Sequence, residues 1–196
     1  MLVAVKAWSA FVKLRQIIFL ASVLLLTSCA TKVSSFKEDQ DRHLEHKEGY
    51  LLFAVDTTYS LNELHLTGTK YIKLTADDLR AGSNYILVSL PEGQYSIDKI
   101  KFNRYLQIKD FEDGLWDFTV NEGMITYVGH LQIYTPSFWS SYSNVKLLNK
   151  SSIALEYMQT NFSNILDQRK ITYAGPGEDS FFDVVSNIPT AQGGAK

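Results

Sequence analysis

From Gly49 onward, apolar and polar residues alternate in short runs that stop at turn-forming residues. Such runs predict strands at Tyr50–Asp56, Glu63–Leu66, Lys70–Leu74, Asn84–Leu90, Gln94–Phe102, Tyr105–Phe111, Leu115–Val120, Met124–Tyr134 and Asn144–Leu148. Between them stand Thr67-Gly68, Ala81-Gly82, Pro91-Glu92-Gly93, Asp113-Gly114 and Asn121-Glu122-Gly123. Many short strands with a turn signal every eight to twelve residues or so point to a sandwich or barrel. In YSIDKIKF (95–102) the apolar members are Tyr95, Ile97, Ile100 and Phe102. Their parity breaks after Ile97, which predicts a bulge near Asp98–Lys99. The period changes at IALEYMQTNFSNILDQR, where a three-four spacing predicts one helix over about 155–168, packed on a sheet or across one end. After it, ITYAGPGED leaves the fold through Gly175-Pro176-Gly177, and 175–196 reads as a flexible tail in which FFDVV could return as an edge strand.

The opposite end has a different pattern. Residues 1–16 carry Lys6, Lys13 and Arg15 without an acidic residue, and Ile17–Leu26 is purely apolar or small. That run is shorter than the roughly 20 apolar residues a spanning helix needs and suits the hydrophobic region of a signal peptide over 1–28. The basic part is longer than a signal requires, since VKLRQ from Val12 would suffice by itself. Residues 29–48 are polar and charge-mixed, and read as a tether between the anchor and a domain at 49–174.

Cys29 is the single cysteine, so it has no disulfide partner in the chain and no second thiolate for a zinc site. A buried thiol, a nucleophile and a modified residue remain, and the context favours the last. Leu26-Thr27-Ser28-Cys29 resembles the lipobox of bacterial lipoproteins; the alternative is an ordinary secretory signal with an incidental cysteine. In that family the thiol receives a diacylglycerol, cleavage frees the cysteine amine, and the amine is usually acylated too, by a chain such as palmitate. Two or three chains anchor stably where one binds only marginally. In Gram-negative lipoproteins, Ala30 rather than aspartate at the second mature position implies export to the outer membrane; the expected side is the periplasmic one, with exposure at the cell surface as the alternative. The chain from Cys29 carries 16 basic and 21 acidic residues, a net charge of −5, which argues against nucleic-acid binding.

LVSLPEGQYSI (87–97) is the most informative stretch of the mature chain. Pro91 presets a tight turn, and Gly93 can adopt the left-handed conformation that follows. Gly-x-Tyr entering a strand resembles the tyrosine corner of Greek-key sandwiches, with Tyr95 bonding back to backbone; a plain hairpin with an inward aromatic is the other reading. With the lipobox, this is similar to bacterial lipoproteins of uncharacterised function whose Ig-like or transthyretin-like sandwich carries an L-P-x-G-x-Y turn. FTVNEGMITYVGHLQI (118–133) resembles the strand that follows in those chains. The resemblance covers about residues 49–134 and implies an antiparallel β-sandwich, without assigning catalytic residues.

Candidate chemistry is sparse. A hydrolase needs nucleophile, base and orienting acid converging in space, and only His65 and His130 lie inside the expected domain. No Gly-x-Ser-x-Gly, His-Glu-x-x-His or phosphate loop appears. His43 and His46 lack further ligands, and the pairs Asp77-Asp78, Glu112-Asp113 and Glu178-Asp179 fall in loops without EF-hand spacing. In YTPSFWSSYSN (134–144), Phe138, Trp139 and Tyr142 form either a candidate contact patch or a cap folded over one end of the sandwich. The sequence thus predicts a lipid-anchored, mainly β envelope protein with one C-terminal helix, without a cofactor or catalytic residues. It would act as a binding or assembly module for an envelope protein or glycan. The competing class is a small envelope hydrolase or carbohydrate-active protein.

Overall fold

Residues 30–41, 44–109, 111, 114–137, 140 and 142–187 are described by the computed structural model. Among them the alternating runs become strands β1 (Thr31–Lys32), β2 (Glu48–Thr57), β3 (Glu63–Gly68), β4 (Ile72–Thr75), β5 (Gly82–Pro91) and β6 (Gly93–Lys101). Then come β7 (Gln107–Lys109), β8 (Asp117–Val120), β9 (Ile125–Tyr134), β10 (Asn144–Leu148) and β11 (Ile171–Tyr173). A six-stranded sheet has the order β1-β4-β3-β6-β7, with β8 also pairing β6, and a five-stranded sheet the order β10-β9-β2-β5, with β11 also pairing β9. The two sheets pack face to face around Phe53, Val55, Leu64, Ile72, Ile100 and Leu131.

The sheets are mixed, which corrects the antiparallel expectation: β1–β4, β2–β9 and β11–β9 are parallel pairs. The reason is legible in β2, whose Tyr50–Val55 stretch is apolar at every position and buried throughout. A strand buried on both faces needs cover on its second side, as central parallel strands do. That cover comes from helices α1 (Ser151–Asn161), α2 (Ser163–Gln168) and α3 (Phe181–Ser186). Ala154, Met158, Ile165 and Phe182 bury the outer residues Tyr50, Leu52, Leu87, Ile125 and Tyr127 in a second core. Each large side chain so buried contributes about 1.5–3 kcal/mol.

In place of one helix over 155–168, α1 and α2 break at Phe162 (φ −142°, ψ 44°). Asn161 turns its side-chain amide onto the Tyr157 carbonyl at 3.0 Å, competing with the backbone ladder, while Phe162 is buried in the second core. The segment read as a tail also differs from expectation. FFDVV is helical, not a strand, and Phe182 sits edge-on to Tyr127 with ring centroids 5.9 Å apart.

The turn from β5 to β6 carries the chain from one sheet to the other, so the hairpin reading of PEGQY does not hold. The Tyr95 hydroxyl donates to the Pro91 carbonyl at 2.9 Å, the tyrosine-corner bond. Burial pushes the Tyr95 phenol up to about 12. The expected bulge is present: His65 faces Lys99 but Leu66 faces Ile97, leaving Asp98 as the extra residue. A second bulge falls at Val128, between the Leu52–Tyr127 and Phe53–Gly129 pairs. Gly129 (φ +130°) accommodates it, since a Cβ there would lie 2.9 Å from the Leu148 carbonyl oxygen.

The segment expected as a tether is instead a strap along the domain. Thr31 and Lys32 pair with β4, and Phe36 and Leu87 share a backbone hydrogen bond on the free edge of β5. Ser35 is buried: its hydroxyl accepts from the Leu87 N–H at 3.1 Å, and its own N–H reaches Asp78 at 3.3 Å. Further along, Asp39 accepts from the backbone N–H groups of Asn164 (2.9 Å) and Ile165 (3.2 Å), capping α2 from across the molecule. Asp41 holds Arg169 at 2.9 Å and accepts from the Tyr50 hydroxyl at 2.9 Å. The strap is polar because its partners are strand edges and helix ends, and composition alone does not separate that use from a solvated tether.

Candidate functional site

Of the residues singled out in the sequence, Cys29, Phe138, Trp139 and His43 lie outside the described residues, as do Glu112 and Asp113. Tyr142 is described and is 62% exposed, so it caps nothing. Its N–H donates to the Ser140 hydroxyl at 3.1 Å, and Tyr134 at the end of β9 is similarly exposed. The remaining acidic pairs serve the framework. Asp78 is buried under Ser35 and Lys37, Asp77 meets Lys32 at 3.6 Å, and Asp179 accepts from Asn149 and the Phe181 N–H, each at 2.8 Å.

His130 projects from β9 on the helix-covered side of the five-stranded sheet and is 3% exposed. Its Nδ1 lies 2.7 Å from the Tyr127 hydroxyl and its Nε2 3.1 Å from that of Tyr85. The Tyr127 hydroxyl also accepts from the Lys150 N–H at 3.2 Å. One neutral tautomer satisfies the chain: Tyr127 donates to Nδ1, and Nε2–H donates to Tyr85. Burial, reinforced by Lys150, holds the imidazole down to about 4. Beside it Lys150 and Asp56 form an ion pair at 3.1 Å, and Asp56 also accepts from the Ser83 hydroxyl. Tyr157 stacks on Tyr85 at 3.8 Å, closing the cluster from the α1 side. The cluster locks α1 onto the sheet, with both ring nitrogens occupied by tyrosines.

His65 lies on the other sheet, on the face turned away from the core. Its Nε2 lies 2.9 Å from Glu63 and its Nδ1 2.6 Å from the Tyr71 hydroxyl. With Glu63 ionised, Nε2–H donates to the carboxylate and Tyr71 donates to Nδ1, again a neutral ring. Burial lowers the His65 pKa, and Lys99 and Lys73 on either side push the same way. The carboxyl of Glu63 is also lowered, first by the His65 bond and then by Lys101 and Lys73, whose ammonium groups lie 3.5 and 3.7 Å away.

These neighbours belong to a larger arrangement. The strand registers align Lys32 with Lys73, Lys73 with His65, His65 with Lys99, and Lys99 with Lys109. One row thus crosses five strands with a lysine at every position but the central histidine. At about 4.8 Å per strand it spans about 19 Å. Lys101 stands in the next row, opposite Glu63. Like charges directly opposite on a sheet destabilise it, so the row is not explained by sheet stability. The individual lysines are visible as outward members of IKLT, IDKIKF and QIK. Their alignment depends on pairings between strands distant in sequence and on the bulge at Asp98, and no local pattern reports it.

A cavity of about 580 Å³ borders this face at Thr67, Gln94, Ser96, Asp117 and Thr119. An apolar groove of about 350 Å³ runs between the helices at Leu155, Leu166, Ile171, Phe182 and Val185. Neither cavity brings a histidine to a serine. Among the described residues no group of three or more His, Cys, Asp or Glu side chains could hold a metal ion. Nor is any described helix long and apolar enough to cross a membrane. No protein-family model matches this chain, and comparison with curated proteins and with solved structures finds no match either.

Proposed function

We propose that this chain is a lipid-anchored protein of the bacterial outer membrane. Its two-sheet domain acts on the periplasmic side as a binding or assembly module rather than as an enzyme. The observation that carries the reading is the lipobox Leu26-Thr27-Ser28-Cys29, reached after a basic segment and an apolar run of signal-peptide length. The first strand begins at Thr31, two residues beyond the acylated position, so the domain sits against the lipid rather than at the end of a long tether. The sheet-to-sheet crossover at Pro91–Gly93 with its Tyr95 bond favours kinship with Ig-like or transthyretin-like sandwiches, modified by the parallel β2–β9 pair. The commitment of both histidines to tyrosine and glutamate partners favours a structural role for them over general-base catalysis.

The test is the processing of the N-terminus. Mass spectrometry of the wild-type protein from membranes should show a mature chain beginning at an acylated Cys29. Cys29→Ser should abolish acylation and leave an unprocessed or soluble protein. An unmodified Cys29 in the mature chain refutes the anchor.

A further inference from the structure

The lysine row lies on the sheet whose edge strand follows Cys29 most closely. Thr31 is two residues from Cys29, which limits the separation along the chain to about 7 Å. Lys32, the next residue, is the first member of the row. The row therefore starts at the anchored edge and runs inward across β4, β3, β6 and β7. Five lysines (the row and Lys101) share this face with Glu63, with Asp77 and Asp117 at its margins and Asp98 in the bulge. The chain from Cys29 carries a net charge of −5, so the local sign opposes that of the whole. Among the described residues Lys99 forms no ion pair, and Lys73 and Lys101 share the single carboxylate of Glu63. A neutral His65 at the centre lets the lysines on either side of it remain charged without a further cation between them.

We propose that the outer face of the six-stranded sheet, along Lys32, Lys73, Lys99, Lys101 and Lys109, lies on the anionic headgroups of the membrane that holds the Cys29 lipid. This rests on the anchor reading for its geometry. A basic face about 19 Å long is complementary to a surface of repeating negative charge, and each lysine held near such a surface adds to the attraction. The lipid and the lysine face then form two signals for one membrane, and together they fix the orientation of the domain. The helix-covered sheet and the exposed Tyr134 and Tyr142 are left facing away from the lipid or to the side.

The test uses chain from residue 29 with Cys29→Ser, which lacks lipid but keeps both cores, whose residues lie between Val33 and Phe182. Co-sedimentation is measured with vesicles of phosphatidylcholine alone and with vesicles containing phosphatidylglycerol, at low and high salt. Binding is expected only to the phosphatidylglycerol vesicles and should disappear at high salt. Lys73→Gln with Lys99→Gln should weaken it roughly 25-fold, whereas Lys73→Arg with Lys99→Arg should retain it, with thermal melts verifying the fold of each. Lys146→Gln with Lys170→Gln, away from this face, should leave binding unchanged. Equal sedimentation with both vesicle types, or equal weakening by the two Gln pairs, overturns the proposal. Tighter retention on the soluble polyanion heparin than on vesicles overturns it in favour of a polyanionic partner. Because this protein carries no lipid, the outcome is independent of the mass measurement at Cys29, and each reading can fail without the other.

Discussion

Tyr95→Phe removes one oxygen from a side chain that is 2% exposed. That oxygen makes the 2.9 Å bond to Pro91, the last residue of β5, just before the chain enters β6 in the other sheet. The ring itself stays, packed against Phe118 with centroids 6.0 Å apart, so no cavity opens. The loss is then the net value of one hydrogen bond plus part of the desolvation cost of a carbonyl left without it, about 1–2 kcal/mol. Pro91 is only half-buried, so water can reach its carbonyl in part, and this keeps the figure at the low end for an orphaned group. With a urea slope of roughly 2 kcal/mol/M, the midpoint should fall by about 0.5–1 M at unchanged slope. Tyr105→Phe is the control, because that ring is 84% exposed and its change should be silent. A Tyr95→Phe midpoint equal to wild type would refute the corner bond as a stabilising element and reduce Tyr95 to apolar packing. The same phenol gives an independent signature. Its folded value of about 12 lies above the unfolded 10, so the fold holds the proton more tightly. Stability should therefore decline as pH rises from 10 towards 12, and Tyr95→Phe should soften that decline.

His130 is held at about 4 against an unfolded 6.5, so its stabilisation is complete above pH 6.5 and is lost as pH falls through 4, on the order of 3 kcal/mol. His130→Gln should flatten the fall in urea midpoint between pH 6.5 and 4, and an unchanged slope would show that the ring titrates normally. Gly129→Ala should cost at least 1–3 kcal/mol, because φ +130° and the Leu148 carbonyl both exclude a Cβ; a neutral thermal shift would remove the bulge from its proposed position. Asp39→Ala should cost about 0.5–2 kcal/mol through the uncapped α2, and faster hydrogen exchange at Asn164 and Ile165 should accompany it. Phe182→Ala should cost about 3–5 kcal/mol if α3 belongs to the second core, whereas a free tail would tolerate it without any change in melting temperature.

By itself the sequence determined the features that depend on neighbouring residues. The β10 limits, the turn at Pro91–Gly93 and the bulge at Asp98 follow from alternation and its interruptions, and these are local properties of the chain. The run Tyr50–Val55 showed a strand but not why every position in it is apolar; only the helices on its second face explain that. The strap at 31–41 is not legible, because polar residues bonded to strand edges have the composition of a solvated segment, and the helix at Phe181–Ser186 is not, because a short apolar run does not by its period separate a helix from a strand. The lysine row lay furthest from view. Lys32, Lys73, Lys99 and Lys109 are scattered over 78 positions and become neighbours only through four pairings between strands. Alternation decides which face a side chain takes, because its period is fixed by the backbone. Register decides which residues meet on that face, and register is set by the packing of the whole sheet.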